Sequence, residues 1–296
     1  MSVKTLTLMG NRVRRARVVG NFLKNSLVFK LKRKALTPRY WFRNVSLVVV
    51  DMDGTLFGED AGHIGLMQAY PEQFGDMIMG SILYETILLN LAQGQITVED
   101  AIIDGNHLLQ YRNFGRKDFQ KTLEAIWPSL CKGLVKALSK IKKKRECKII
   151  LATLSSQEFG EMANKKLKKE TGFSFDGIIG TRVQFDQHGR IKGLHDIIGL
   201  KNGVVRGTKV RTKLKAIKEL CKNKKWKFSM NQTVLITDGY GDIETAKHVK
   251  TILLKSKNPS TIQAVSVKYN LADKIIPINN QLETKLLKLF SNQKKR

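Results

Sequence analysis

The sequence is poor in cysteine and has no long apolar run. Its three cysteines, Cys131, Cys147 and Cys221, are odd in number and too widely spaced for a zinc motif. Reduced thiols in a cytoplasmic compartment are therefore expected. No apolar run approaches the roughly 18 residues that a membrane-spanning helix needs, and the N-terminus lacks the apolar core of a secretory signal peptide. These absences argue against disulfide-stapled, secreted and membrane-spanning proteins.

Acidic residues are missing from the first 50 positions, which hold twelve Lys or Arg. The whole chain has a formal charge of +28, and the residues after position 50 still hold 41 basic and 25 acidic side chains, a balance of +16. A basic tail therefore does not account for the whole excess. Such a charge favours nucleic acid, anionic membrane surfaces or phosphorylated substrates as partners.

Residues 11–35 combine basic side chains with apolar ones at helical spacing. The apolar positions are Val18, Val19, Phe22, Leu23, Leu27 and Leu31. The pattern predicts a basic amphipathic helix within an N-terminal extension formed by residues 1–44. Three roles stay open for this helix: peripheral binding to an anionic membrane, an organelle transit peptide, or packing of its apolar stripe on the rest of the protein.

An apolar strand predicted at residues 46–50 ends at two aspartates, Asp51 and Asp53, which Gly54 and Thr55 follow. Two like charges beside apolar surface are costly, and a divalent cation would relieve their repulsion. Mg²⁺ prefers carboxylate and carbonyl oxygens, often with substrate phosphate completing its shell. One aspartate could then act as nucleophile while the other moves protons. The alternative is an Asx turn, which the complete Asp-x-Asp-Gly-Thr motif after a strand makes less favourable.

Two further predicted strands also end in polar side chains. Thr153 and Ser155 follow the strand at 148–152, and Asp238 and Asp242 follow the strand at 233–236. The carboxyl ends of parallel strands share one edge of a sheet, so these groups should converge with the first aspartates.

A lysine would offset the charge of a bound phosphate. The segment 208–223, which we predict to be a Lys-rich helix, supplies Lys209 and Lys213. The helical phase favours Lys213.

The spacing of the elements predicts an α/β fold, a doubly wound parallel sheet of the Rossmann-like kind with an inserted helical cap domain. The pattern between the first two strands is mainly helical, which indicates a cap over the sheet edge. A hairpin is predicted at 178–194, short strands at 251–255 and 274–278, and a terminal helix at 281–290. The predicted units are the α/β core (45–56 and 148–280), the cap (57–147) and a basic C-terminal helix and tail (281–296).

The ordered motifs resemble those of the haloacid dehalogenase superfamily, in its phosphoserine phosphatase-like branch with a helical cap. Asp51-Met-Asp53-Gly-Thr is similar to the first motif, and Ile149-Ile-Leu-Ala-Thr153 to the second. Lys213-Leu-Lys-Ala is similar to the third motif, and Asp238-Gly-Tyr-Gly-Asp242 to the fourth. The resemblance covers roughly residues 45–280 and depends on all four motifs in this order.

The resemblance implies a Mg²⁺-dependent phosphomonoester hydrolase. Asp51 would be the nucleophile and form an aspartyl-phosphate, while Asp53 would protonate the leaving oxygen and then activate water. The cation would lie between Asp51, the backbone carbonyl of Asp53 and the side chain of Asp238 or Asp242.

The same resemblance assigns phosphate binding to Thr153 and Lys213. The further candidates for this site are Gly54, Thr55, Asp60, Ser155 and Lys209. Asp60 stands where amino-acid phosphatases of this branch tend to have glutamate, and Thr153-Leu-Ser-Ser replaces their Ser-Gly-Gly turn. Both departures count against phosphoserine as the substrate.

Two alternatives remain open at this point. The basic helix and the lysine-rich stretch 201–227 could direct a phosphatase to membrane-lipid phosphates or to nucleic-acid ends, of which nucleic acid is the less favoured partner. A protein that keeps the fold but only binds polyanions would use the same charge without catalysis.

Overall fold

The computed structural model describes residues 42, 44–257 and 272–291. The amphipathic helix predicted at 11–35 lies outside the described residues. Within them, strands and helices alternate around one large sheet. The sheet strands are β1 (Leu47–Val50), β4 (Lys148–Ser156), β5 (Gly177–Phe185), β6 (Ile191–Gly199), β7 (Gly203–Val205), β8 (Thr208–Thr212), β9 (Thr233–Thr237), β10 (Lys250–Lys255) and β11 (Lys274–Pro277), and a separate small hairpin is formed by β2 (Gln73–Phe74) and β3 (Met77–Ile78).

The strand order of the sheet is β11-β10-β9-β1-β4-β5-β6-β8-β7. The pairs from β11 to β5 are all parallel, whereas β5 with β6 and β7 with β8 are antiparallel. β1 lies between β9 and β4, and its side chains Val48, Val49 and Val50 are completely buried. A run of β-branched residues buried on both faces is typical of a central parallel strand. The predicted α/β class with a mostly parallel sheet is confirmed.

Helices pack against both faces of the sheet, and each face has its own apolar cluster. The bounds of the helices are α1 (Ala61–Ala69), α2 (Met79–Ala92), α3 (Val98–Tyr111), α4 (Arg116–Ile126), α5 (Lys132–Lys144), α6 (Gln157–Thr171), α7 (Lys213–Asn223), α8 (Ile243–Ala246) and α9 (Leu282–Ser291). The amphipathic helix α5 buries Leu134, Leu138 and Ile141 in the same apolar cluster as β1 and α9. It therefore packs on the sheet, although the predicted cap range includes it. The division into core and cap stays a prediction.

The prediction of a helix from 208 to 223 is wrong in its first part, because residues 208–212 form β8 and α7 begins at Lys213. The side chains of Thr208, Val210 and Thr212 are β-branched and alternate with Lys209 and Arg211, which suits a strand. β8 pairs with β6, and Val210 is buried. The predicted hairpin at 178–194 is confirmed as β5 and β6, and β4 runs four residues beyond its predicted end.

All three cysteines are free, and two of them, Cys147 and Cys221, are buried. Among the helices of the described residues, none combines the length and the apolar character that a membrane crossing requires.

Candidate active site

The polar groups that end β9, β1 and β4 meet at the carboxyl edge of the sheet. In the register of the sheet, Val50 pairs with both Leu151 and Ile236, so the residues that follow these three positions lie side by side. The N–H of Asp51 also donates to the carbonyl of Ile236 over 2.9 Å, so the first aspartate is held against β9. The side chains collected at this edge are Asp51, Asp53, Thr153, Ser155, Lys213, Asp238 and Asp242.

A buried lysine links two of the aspartates. Lys213 Nζ lies 2.7 Å from Asp51 Oδ1 and 2.6 Å from Asp242 Oδ1, and the lysine side chain is only 3% exposed. Lys213 is the first residue of α7, and Thr212 caps that helix by accepting from the N–H of Lys215. Lys209, the other candidate, is exposed on β8. The structure thus brings Lys213 to the carboxylates and leaves Lys209 outside.

The site holds more negative than positive charge. Burial lowers the pKa of Lys213, but the carboxylates of Asp242 and Asp51 more than offset this, so that its pKa is raised and the ammonium is stable. Burial raises the pKa of Asp51 well above its usual range, and Lys213 opposes this only in part. Burial and the charges of Asp242 and Asp53 raise the pKa of Asp238 to about 7.

Asp53 is held by three donors in a position separate from the lysine. Its Oδ1 accepts from the N–H of Ala61 over 2.8 Å, and its Oδ2 accepts from the hydroxyls of Ser155 over 2.7 Å and Thr153 over 3.2 Å. Burial, together with the charge of Asp60, raises the pKa of Asp53 to about 7. A carboxyl group with this pKa can exchange a proton near neutral pH.

Asp60 is the N-cap of α1 and accepts from the N–H groups of Gly62 over 2.7 Å and His63 over 3.1 Å. The ring of His63 stacks on Tyr84 with centroids 4.7 Å apart. Burial raises the pKa of the Tyr84 hydroxyl, and the carboxylate of Asp60 raises it further. The sequence does not predict a role for His63 or Tyr84, because an isolated histidine and one aromatic residue in an apolar helix form no motif.

Gly54 allows the turn after β1 to approach Asp238. Its φ is +70°, and a Cβ on this residue would lie 2.2 Å from Asp238 Oδ2. The next residue, Thr55, is buried, and its hydroxyl has no hydrogen-bond partner among the described residues. A side chain at position 54 would displace the carboxylate of Asp238, because its Cβ would occupy the same space.

We expect Gly54→Ala to lower activity by about a hundredfold, because a 1 Å displacement of a site group can have an effect of this size. Gly94→Ala is the matched control, since Gly94 has a φ of +68° and a Cβ there would meet nothing within 4 Å in the described part of the chain. Both variants should lose about 1 kcal/mol of stability from the backbone conformation alone. Thermal unfolding and phosphate release measure the two effects. Equal losses of phosphate-release activity in Gly54→Ala and Gly94→Ala would contradict the role given to the Asp238 contact.

The residues of this edge fit a hard divalent cation. Four carboxylates, those of Asp51, Asp53, Asp238 and Asp242, share one buried ammonium, that of Lys213. Oδ2 of Asp242 is buried without a hydrogen-bond partner among the residues described. Within the same residues, no group of three or more His, Cys, Asp or Glu side chains is arranged as a metal cage. Mg²⁺ does not require one, because one or two carboxylates with backbone, water and phosphate oxygens complete its octahedron.

Comparisons with known proteins rest on structure alone. No protein-family model matches the chain, and no curated protein does. A solved structure described as a phospho-aspartyl intermediate analogue of phosphoserine phosphatase is similar over 79% of this chain and 94% of its own, with 15% identity and a TM-score of 0.55. A phosphoserine phosphohydrolase-like protein from Francisella tularensis is similar over 82% and 99%, with 17% identity and a TM-score of 0.57.

A HAD family hydrolase from Salmonella enterica serovar Typhi is similar over 82% of this chain and 77% of its own, with 15% identity and a TM-score of 0.57. At these identities the likeness concerns the fold. The chain therefore has the haloacid dehalogenase fold in its phosphoserine phosphatase-like form, as the resemblance of the motifs implied.

Proposed function

We propose that this protein is a Mg²⁺-dependent phosphomonoester hydrolase that forms an aspartyl-phosphate on Asp51. The observation that carries the proposal is the buried contact of Lys213 with both Asp51 and Asp242, beside a second aspartate that hydroxyls hold in place. One carboxylate next to a fixed ammonium and another with a pKa of about 7 supply a nucleophile and an acid/base. The solved structures of this fold that are phosphoserine phosphatases support the same reaction class.

In the first step, a carboxylate oxygen of Asp51 attacks phosphorus, and the bond from phosphorus to the leaving oxygen breaks. Asp53 donates its proton to that oxygen. In the second step, Asp53 takes a proton from water, whose oxygen attacks phosphorus, and the bond to Asp51 breaks to release phosphate. Mg²⁺ held by Asp51, Asp238 and the backbone carbonyl of Asp53 would neutralise charge on the phosphate oxygens.

Two of the predicted metal ligands differ in their surroundings. Asp242 lies 2.6 Å from Lys213 Nζ and is 1% exposed, so we assign it the positioning of the lysine. Asp238 has no ion pair within the described residues and lies against Gly54, so we assign it the cation. Lys213, which lies 2.7 Å from Asp51 Oδ1, then contacts the phosphate that Asp51 receives.

Thr153 and Ser155 orient Asp53 through their hydroxyls. The N–H of Ser155 in turn donates to Thr153 Oγ1 over 2.9 Å, which fixes the threonine. Phosphate binding by Thr153 stays a prediction, because its hydroxyl is already engaged by Asp53. The two hydroxyls select the conformer of Asp53 that faces the leaving group, which is the positioning that general acid catalysis requires.

The substrate is a phosphomonoester whose leaving group meets Asp60, His63 and Tyr84. Because Asp60 accepts two N–H groups of α1, its carboxylate is less available to an amino group of phosphoserine. This supports a different leaving group and agrees with the departures seen in the motifs. A cytoplasmic location and peripheral membrane binding also stay predictions.

Phosphate release from an aryl phosphate and from a panel of phosphorylated metabolites tests the function. We expect turnover with Mg²⁺, its loss in excess chelator, and its return when Mg²⁺ is restored, because the surplus carboxylates otherwise repel phosphate. The panel should contain phosphoserine, lipid phosphates and nucleotide monophosphates. Activity that the chelator does not affect would contradict the proposed requirement for Mg²⁺. A complete lack of turnover, combined with salt-sensitive nucleic-acid binding, would favour a binding protein.

A further inference from the structure

The charges of the chain are segregated in two adjoining stretches near its N-terminus. Residues 1–43 contain twelve Lys or Arg and no acid, whereas residues 44–111 contain ten Asp or Glu and no Lys or Arg. The second stretch runs from β1 to the end of α3 in a chain with 53 basic and 25 acidic residues. A basic segment is therefore followed directly by an acidic part of the fold.

Within the acidic stretch, α2 is apolar on nearly all sides. Glu85 is its only charged residue, yet Gly80 is its only buried one. A helix that is apolar all round is normally buried. One side of α2 contacts α1 and α3, but Glu85, Thr86, Leu89 and Ala92 are exposed, and their spacing places them on one stripe.

The hairpin that leads into α2 also exposes large apolar side chains. Phe74 is 71% exposed and Met77 is 51% exposed, while Leu89 on the helix is 55% exposed. The tip residue Asp76 is exposed between the two hairpin side chains. We call Phe74, Asp76, Met77, Glu85 and Leu89 the α2 face. Exposed apolar side chains of this size, accompanied by acids, are typical of a surface that a partner covers.

The charge of the α2 face restricts its partner. An anionic membrane attracts basic segments, and an acidic stretch without Lys or Arg would be repelled by it. A basic amphipathic helix complements both properties, since its apolar stripe can cover the large side chains while its lysines approach the carboxylates. Residues 11–35 have this pattern, with no acid among them.

The attachment point of the N-terminal segment supports an intramolecular contact. Phe42 is buried, and its ring lies 5.8 Å from that of Phe290, so the chain enters the fold at a fixed place. Because the segment is attached at this place, its contact with the same chain is intramolecular.

We propose that residues 11–35 dock on the α2 face of the same chain. The contact pairs the apolar side chains of the segment with Phe74, Met77 and Leu89, and its lysines with Asp76 and Glu85. The proposal is independent of the phosphatase activity, because it uses none of the site residues.

Zero-length carbodiimide cross-linking of the full chain tests the contact, because it joins a lysine to a carboxylate only where they touch. We expect the segment lysines Lys24, Lys30, Lys32 and Lys34 to be joined to Asp76 or Glu85. Leu89→Asn should reduce these links at least about fivefold by removing buried apolar contact. Val204→Asn is the control, since Val204 is 70% exposed outside the α2 face. It should leave the links unchanged.

Cross-linking of a mixture of unlabelled and ¹⁵N-labelled protein distinguishes docking of the segment on its own chain from docking on a second copy. Links that join only peptides of the same label support the proposal. Mixed-label links as frequent as random pairing of the chains gives would overturn it in favour of a second copy. Links to the exposed Glu146 and Glu161 as frequent as those to the α2 face would also overturn it. So would a lack of links together with anionic-vesicle binding that Leu89→Asn abolishes, which would assign the face to a membrane.

Discussion

Asp51→Asn is expected to reduce phosphate release by about a thousandfold or more, because removal of a covalent nucleophile has effects of at least this size. An amide is too weak a nucleophile to replace the carboxylate on phosphorus. Folding should survive the change, since Lys213 keeps Asp242 as a partner 2.6 Å away. The measurement is the rate of phosphate release with saturating Mg²⁺, together with thermal unfolding of both proteins.

Asp76→Asn is the matched control for this variant, because Asp76 is an exposed aspartate at the tip of the β2–β3 hairpin. The same chemical change there should leave the rate unaltered. If Asp51→Asn retained the rate of the unmodified protein, the attack would come from another group. Asp53 would then be the first residue to re-examine, since it is the other aspartate of the motif.

Lys213→Met is expected to lower turnover by about two to three orders of magnitude, the range seen when one group that stabilises transition-state charge is removed. The variant also leaves the carboxylates of Asp51 and Asp242 buried without their ammonium. Removing one partner of a buried ion pair destabilises a protein by about 3–5 kcal/mol, although protonation of the aspartates reduces this cost. Turnover should be measured at a temperature well below the unfolding midpoint of the variant.

The lysine on the preceding strand offers the comparison for this prediction. Lys209→Met makes the same substitution four residues earlier, at an exposed position of β8. It should change turnover by less than about twofold, as surface substitutions away from a site usually do. A loss of activity in Lys209→Met with none in Lys213→Met would contradict the arrangement of the site.

The convergence of the aspartates could be predicted from the sequence because it follows from strand topology. Asp51, Thr153 and Asp238 lie far apart in the chain, but each follows an apolar run that forms a parallel strand. β1 has β4 and β9 as its two neighbours. Parallel strands end at a common edge of the sheet, so this prediction requires no knowledge of side-chain contacts.

The identity of the lysine was less accessible from periodicity. The pattern over 208–223 mixes a strand with a helix, and the boundary between them falls at Lys213. That boundary explains why Lys213 and not Lys209 contacts the carboxylates, because the first residue of α7 directly follows the carboxyl end of β8. A lysine within the strand projects according to the pleat instead.

The contacts that join the helical insertion to the turn before β7 could not be predicted. Glu99 of α3 is buried and accepts from the N–H of Leu200 over 2.6 Å, which joins the helical insertion to the turn before β7. Asn202 in the same turn accepts from the N–H of Thr212, the cap of the helix that carries Lys213. Neither hydrogen bond can be recognised from the spacing of residues in the sequence, since tertiary packing determines which groups meet.

Borohydride trapping tests the central claim most directly, since it reduces an aspartyl-phosphate to homoserine at the residue that carries it. The full chain would be reacted with substrate and Mg²⁺, quenched, reduced and analysed by peptide mass spectrometry. The account predicts homoserine at position 51, dependent on substrate and absent when the chelator is present. Rapid phosphate release without modification at Asp51, or with modification at Asp53, would contradict it.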